Sequence, residues 1–178
     1  DFLAFSVHKM GGPTGLGILY ACKDMHAAMK PYRFGGGMVA AVTNDFMTWQ
    51  AAPHCFEAGT PPIAQVVGLG ALLTFYQQQV DFSLLKITEA ALCSQFIGAL
   101  ATIPKLQVVG NPDLLAREGH VVSFYVEDIH AHDLAASLGQ HGCAVRAGDH
   151  CAQPLSALWQ RKATVRVSFF MYNSPAQV

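Results

Sequence analysis

Charge is scarce in this sequence. Only 13% of its 178 residues are Asp, Glu, Lys or Arg, and they nearly cancel, leaving a net charge of −1 with eight histidines counted neutral. That leaves no basic stripe for nucleic acid and no polybasic patch for anionic lipid, so small near-neutral ligands or protein partners are the classes that remain. Long hydrophobic runs are missing too. The longest, around Ile63 to Tyr76, is interrupted by Gln65, Gly68, Gly70 and Thr74 and falls short of the roughly 20 residues a bilayer span requires, so no membrane span is expected. The opening residues carry no basic-then-apolar leader. The five cysteines, Cys22, Cys55, Cys93, Cys143 and Cys151, are odd in number and form no CxxC pair, which argues against a disulfide framework or structural zinc and suits a reducing cytoplasm. Internal repeats and low-complexity segments are absent as well.

What is present is apolar, at 52% of residues. A chain of this length can bury a sizeable core as one domain or parts of two. The apolar run Phe2-Leu3-Ala4-Phe5 reads as a buried strand that delivers the following Ser6-Val7-His8-Lys9 to a site at its end. Gly11 to Gly17 read as a tight turn, Ile18-Leu19-Tyr20 as the next strand, Asp24 to Lys30 as a short helix stopped by Pro31, and Gly35-Gly36-Gly37 as a loop. Helical spacing of Ile63, Val66, Val67, Leu69, Leu72, Leu73 and Tyr76 predicts a long, well-buried helix from Pro62 to about Gln79. Further helices are expected at about Ser83–Thr102 and His130–His141, with strands at Leu106–Val109, His120–Val126, Cys143–Arg146 and Thr164–Phe170. This alternation favours an α/β or α+β architecture, with a boundary near residues 80 to 85.

Lys9 follows an apolar strand and a histidine, a setting that desolvates an ammonium and favours a nucleophilic amine. The alternative is a strand-end lysine snorkelling to water. Cys151 follows Arg146 and His150 and precedes Pro154, which can open a short helix through Trp159; a cationic neighbour and a helix start both stabilise a thiolate. Cys22, Cys93 and Cys143 sit in apolar stretches and read as small buried hydrophobes. Alternation in Thr164 to Phe169 puts Arg166 on the face opposite Val165 and Val167. Such an arginine calls for a carboxylate, from an internal salt bridge or from a bound ligand. Thr60 precedes Pro61 and Pro62 and reads as a helix N-cap. His130, His132 and Asp133 read as the first turn of a helix, and no metal is expected.

Taken together, Ser-x-His-Lys-x-x-Gly-Pro-x-Gly from Ser6, Arg-x-Gly-x-His-Cys-Ala-x-Pro from Arg146, the segment Phe56 to Pro61 and Val165-Arg166-Val167-Ser168 resemble the pyridoxal-phosphate-dependent cysteine desulfurase and selenocysteine lyase family along nearly the whole chain. The resemblance implies the aspartate-aminotransferase-like fold (pyridoxal-phosphate fold type I), with residues 1–82 the end of the large cofactor-binding domain and 83–178 most of the small C-terminal domain. It implies that Lys9 forms the Schiff base with pyridoxal 5'-phosphate, and that Ser6 and His8 contact the cofactor phosphate. Cys151 is then the persulfide-forming cysteine, Arg166 the clamp on the substrate carboxylate and Arg146 its assistant. Thr60 would reach the partner subunit's phosphate in a homodimer. The implied reaction takes sulfur from L-cysteine, or selenium from L-selenocysteine, leaves L-alanine, and hands the sulfur to an acceptor protein in the cytoplasm. Cysteine sulfinate is an alternative substrate. At His54 relatives have an aromatic residue, so the chain departs from the pattern there.

The sequence starts without methionine at a point that lies near the middle of the polypeptide in that family. The group that stacks on the cofactor ring and the aspartate paired with its pyridine nitrogen come from the family's N-terminal half. These 178 residues alone are therefore expected to be inactive, to hold cofactor weakly and to expose apolar surface at Phe2–Phe5 and Ile63–Tyr76. The rival expectations are a non-catalytic interaction fragment, or another enzyme of the same fold in which Cys151 has no role.

Overall fold

Phe2–Ser6 form strand β1, which folds back antiparallel on β2, Gly17–Ala21, in unbroken register from Phe2 opposite Ala21 to Ser6 opposite Gly17. The structure, a computed structural model, describes residues 1–160 and 162–178. Its backbone separates into two units, Asp1–Val80 and Asp81–Val178.

In the first unit, β1 leads directly into a 3₁₀ turn, Val7–Met10, closed by Gly11 at φ 88°, where a side chain would be strained. Val7 is fully buried beneath this turn. Its N–H donates to the Leu16 carbonyl and its own carbonyl accepts from Gly12 N–H, both at 3.1 Å. Helix α1, Ile63–Gln79, presents Gly68, Leu72 and Tyr76 to the same loop, a stripe set by four-residue spacing. A Cβ on Gly68 would come within 2.7 Å of Pro13 Cγ, the Leu72 side chain lies against Gly12, and the Tyr76 hydroxyl donates to the Met10 carbonyl. The absence of side chains at Gly12 and Gly68 is what lets loop and helix approach.

Other parts of this unit depart from the sequence pattern. β1 was expected to be buried, yet Phe2, Leu3 and Phe5 are 51%, 59% and 37% exposed. Of α1 only Tyr76 is buried, while Ile63, Val66, Val67, Leu73 and Phe75 are exposed. β1 has a single hydrogen-bonded neighbour, β2, so apolar pattern that normally marks two-sided cover finds none among the described residues. Local pattern predicts burial here and the resemblance predicts exposure; exposure is observed. The helix expected at Asp24–Lys30 is a single 3₁₀ turn, Lys23–Met25, with turns after it. An unanticipated hairpin joins β3, Val39–Val42, to β4, Met47–Trp49. The Thr43 hydroxyl closes its turn, accepting from Asp45 and Phe46 N–H. Gly35–Gly37 form a loop, tied to the Thr60 segment by Gly59 N–H donating to the Gly36 carbonyl at 2.8 Å.

The second unit is built on one antiparallel sheet. β5 (Leu106–Val108), β6 (Val121–Val126), β7 (Arg146–Gly148) and β8 (Thr164–Ser168) lie in the order β5-β6-β8-β7. α2 (Phe82–Leu100) starts at Asp81, whose carboxylate accepts from Ser83 and Leu84 N–H. Leu92, Cys93, Ile97 and Leu100 of this helix meet Val122 and Phe124 of β6, Val165 of β8 and Ala131 at the start of α4 (Ala131–Gln140) in the core. Phe96 meets Phe124 and Phe169 edge to face. α3 (Pro112–Glu118) was not anticipated, although Asn111 caps it and Pro112 opens it. β7 was expected at Cys143–Arg146 but begins at Arg146, because Gly142 is left-handed and the Cys143 N–H closes the end of α4 on the Leu138 carbonyl. α5 is Gln153–Leu158.

The Gly68 approach yields a test within one helix. Gly68→Ala sets a Cβ against Pro13 and should cost about 1–3 kcal/mol. Gly70→Ala meets nothing within 4 Å and should stabilise by roughly 0.5–1 kcal/mol. Thermal melting of the two variants decides it; equal stabilisation would show that the loop is not seated on this helix.

Candidate functional site

The sheet of the second unit has one covered face and one that carries polar side chains. Val165 and Val167 of β8 point to the core, so Arg166 projects from the opposite face. Register places Arg166 directly between Ser123 of β6 and Arg146 of β7. Two arginines opposite one another on adjacent strands repel unless an anion lies between or above them. The salt-bridge alternative fails among the described residues: Arg166 has no carboxylate partner, and its Nε is buried without a hydrogen bond. A buried, unpartnered guanidinium N–H is costly, and a ligand carboxylate is a planar group that fits it.

Directly after β7 the chain turns through Asp149, His150 and Cys151. His150 and Cys151 both lie in the left-handed region, at φ 53° and 61°. The Asp149 carboxylate accepts the Cys151 N–H at 3.1 Å, which is the leading reason its pKa lies below the ordinary carboxylate value. His150 Nε2 sits 3.1 Å from both the carbonyl and the hydroxyl oxygen of Thr164, which pins the loop to β8. Burial first, and then the Arg166 charge, lower the His150 pKa. The positive charge of this site is therefore that of the arginines, with His150 favouring its neutral form. Cys151 is exposed. α5 behind it has six residues and no side-chain cap, so the loop, more than a helix dipole, sets the surroundings of the thiol.

Three of the expected residues in the first unit share one turn. Ser6 ends β1 and makes no capping hydrogen bond, and His8 and Lys9 follow on the 3₁₀ turn. Lys9 is exposed, so the burial of its ammonium expected from the apolar strand is not found, for the same reason that β1 is uncovered. An amine, an imidazole and a hydroxyl on a turn held rigid by Val7, Gly11 and Gly12 fit a ligand bearing an aldehyde and a phosphate. Thr60 is exposed in the loop before α1. It is not the helix cap, since Pro62 holds the N-cap position of α1 and no side-chain hydrogen bond caps the helix.

The remaining candidates sort by environment. Cys93 is buried, and burial followed by the Glu89 charge pushes its thiol up to about 11. Cys22 is half-buried, but Cys143, expected to be buried, is exposed because β7 starts beyond it. His130 and His132 stack at 5.2 Å around the start of α4, where the His130 ring accepts the His132 N–H. Among the described residues no three His, Cys, Asp or Glu side chains converge as metal ligands, and no helix is long and apolar enough to cross a membrane. Asp149 and Thr164 were missed from sequence. The Asp-x-Cys spacing, which suits an Asx turn, was the available signal for the first.

Solved structures share this backbone. The cysteine desulfurase CsdA of Escherichia coli, in an S-sulfonic acid form, superposes with a TM-score of 0.91 at 37% identity over 99% of this chain and 43% of its own. The apo cysteine desulfurase of Thermococcus onnurineus does so with 0.88 at 35% identity, over 99% of this chain and 44% of its own. The architecture is that of the mixed α/β pyridoxal-phosphate enzymes of fold type I. The family model described as Aminotransferase class-V matches residues 1–178, and the chain belongs to that family of pyridoxal-phosphate enzymes. A probable cysteine desulfurase of Streptomyces coelicolor is 40% identical over all 178 residues, and a cysteine desulfurase of Haloferax volcanii 42%. The chain spans 42% and 41% of their respective lengths.

His150 gives the site a pH signature. Its folded pKa lies below the unfolded value, near 6.5, so the folded state binds fewer protons. Its contribution to stability is full above that unfolded value and is lost as pH falls from there through the lower folded one. Asp149, also lowered, acts the same way but in a window below about 4. Melting temperature followed from pH 7.5 to 5 should therefore fall less in His150→Gln than in the unaltered protein. Parallel curves would show that the imidazole does not resist protonation.

Proposed function

We propose that this chain supplies the cofactor lysine and the sulfur-accepting cysteine of a pyridoxal-phosphate-dependent cysteine desulfurase, acting on L-cysteine or L-selenocysteine and yielding L-alanine. The observation that carries the reading is the buried Nε of Arg166, unpartnered among the described residues and in register with Arg146, a carboxylate site one turn of chain from an exposed cysteine. The whole enzyme is a homodimer in this reading, with residues 1–82 in its large domain and 83–178 in its small one. It works in the cytoplasm and passes sulfur to an acceptor protein.

Lys9 holds the cofactor through its amine, with Ser6 and His8 at the phosphate and Thr60 at the phosphate of the partner subunit. Pyridoxal 5'-phosphate, when bound, supplies an electron sink for negative charge at the substrate carbon. Arg166 and Arg146 fix the substrate by its carboxylate, which orients the remaining bonds. Lys9 Nζ moves the proton at Cα. The Cys151 thiolate attacks the substrate sulfur; an S–S bond forms as the carbon–sulfur bond breaks, the electron pair stays with carbon, and that carbon takes up a proton. Cysteine and the Cys151 thiol thus become alanine and a Cys151 persulfide, with atoms and electrons in balance.

In the full-length protein, Lys9→Ala should abolish the visible absorbance of bound cofactor, and borohydride reduction with peptide mapping should place the adduct on Lys9. Cys151→Ala should keep that absorbance but lose sulfur release from cysteine, with selenocysteine breakdown affected less because selenium leaves more easily. An adduct on Lys23 or Lys30, or persulfide label on Cys143, would contradict the assignment.

A further inference from the structure

We infer that Asp149 is a positioning residue for sulfur transfer: with His150 pinned to Thr164, its carboxylate holds Cys151 in the left-handed backbone conformation that presents the thiol. The inference rests on the desulfurase reading and adds to it a residue that acts through Cys151.

Two consecutive non-glycine residues in the left-handed region are unfavourable on their own. They persist only where neighbouring structure over-determines them. Here the determinants are few and visible. Asp149 Oδ1 accepts the Cys151 N–H at 3.1 Å, and the Asp149 carbonyl accepts the Ala152 N–H at 2.9 Å. The His150 ring reaches Thr164 on β8, and Thr164 pairs in register with Gly148. The loop is thus tied to the two strands that carry Arg146 and Arg166. Among the described residues, the side chain of Asp149 is the one tie made directly to the backbone of the cysteine. A negative charge at this place does nothing to favour a thiolate, so geometry accounts for the carboxylate better than electrostatics does. Without it, the Cys151 φ angle is free to relax, and a displacement of the thiol by about 1 Å is enough to slow an attack that depends on alignment.

The test uses the full-length holoenzyme and single-turnover formation of persulfide on Cys151 from L-cysteine. Asp149→Ala should slow this step about tenfold while leaving the KM for cysteine and the cofactor absorbance unchanged. Asp149→Asn should restore most of the rate, because its side-chain carbonyl accepts the same N–H. Should Asp149→Ala fail to fold, Asp149→Gln carries the comparison: it stays polar but does not close the two-residue turn, and should be as slow as expected for alanine. Wild-type rates in Asp149→Ala or Asp149→Gln, or an Asp149→Asn as slow as either, would overturn the inference. Release of alanine and sulfur from L-cysteine by the full-length holoenzyme separates the two levels. If the unaltered protein releases none, the desulfurase reading itself fails; if Cys151→Ser still releases them at the wild-type rate, Cys151 is not the acceptor and the inference falls with it; if Cys151→Ser is dead while Asp149→Ala is unimpaired, only the positioning role fails.

Discussion

The second unit is organised around an electrostatic cost: Arg146 and Arg166 stand opposite one another on β7 and β8, and Nε of the second is buried without a partner among the described residues. Like charges at cross-strand positions oppose the pairing that places them there, and a buried N–H left open opposes burial. Packing on the other face offsets this. Val165, Val122 and Phe124 are locked against Leu92, Cys93, Ile97 and Leu100, and that apolar contact fixes the register which brings the arginines together. The same register sets Thr164 beside Gly148, where His150 binds and the Cys151 loop is anchored. One packed face thus determines where the two arginines stand on the other face and where the loop bearing Cys151 is anchored.

The first unit solves a different problem, holding a flexible lysine at a fixed place. Its solution is small side chains. Gly12 closes over Val7, and Gly68 lets α1 come up to Pro13, so the turn bearing His8 and Lys9 is clamped by backbone hydrogen bonds and by Tyr76 on Met10. The uncovered apolar faces of β1 and α1 accord with a chain that matches about two fifths of the length of its relatives.

Much of this was legible in the residues. The helices expected at about Ser83–Thr102 and His130–His141 form at Phe82–Leu100 and Ala131–Gln140, and the strand pattern of Thr164 to Ser168 puts Arg166 on the right face. What was not legible depended on tertiary partners. Burial of β1 was inferred from composition, which reports what a strand is suited to and not whether anything covers it. The meeting of Arg146 and Arg166 depends on a register across twenty residues of chain, and the role of Asp149 on a backbone conformation that no local propensity favours. The β3–β4 hairpin and α3 were missed for a simpler reason: both are short, and their signals, a threonine turn and an Asn-Pro start, are carried by single side chains.

The central claim is that the two guanidinium groups are built to receive a carboxylate. Comparing kcat/KM of the full-length protein for L-cysteine and for L-cysteinamide, which lacks only the carboxylate charge, tests it most directly. A preference of about a hundredfold for cysteine, lost in Arg166→Ala, is the result predicted. Equal use of both substrates, or a preference that survives removal of Arg166, would contradict it.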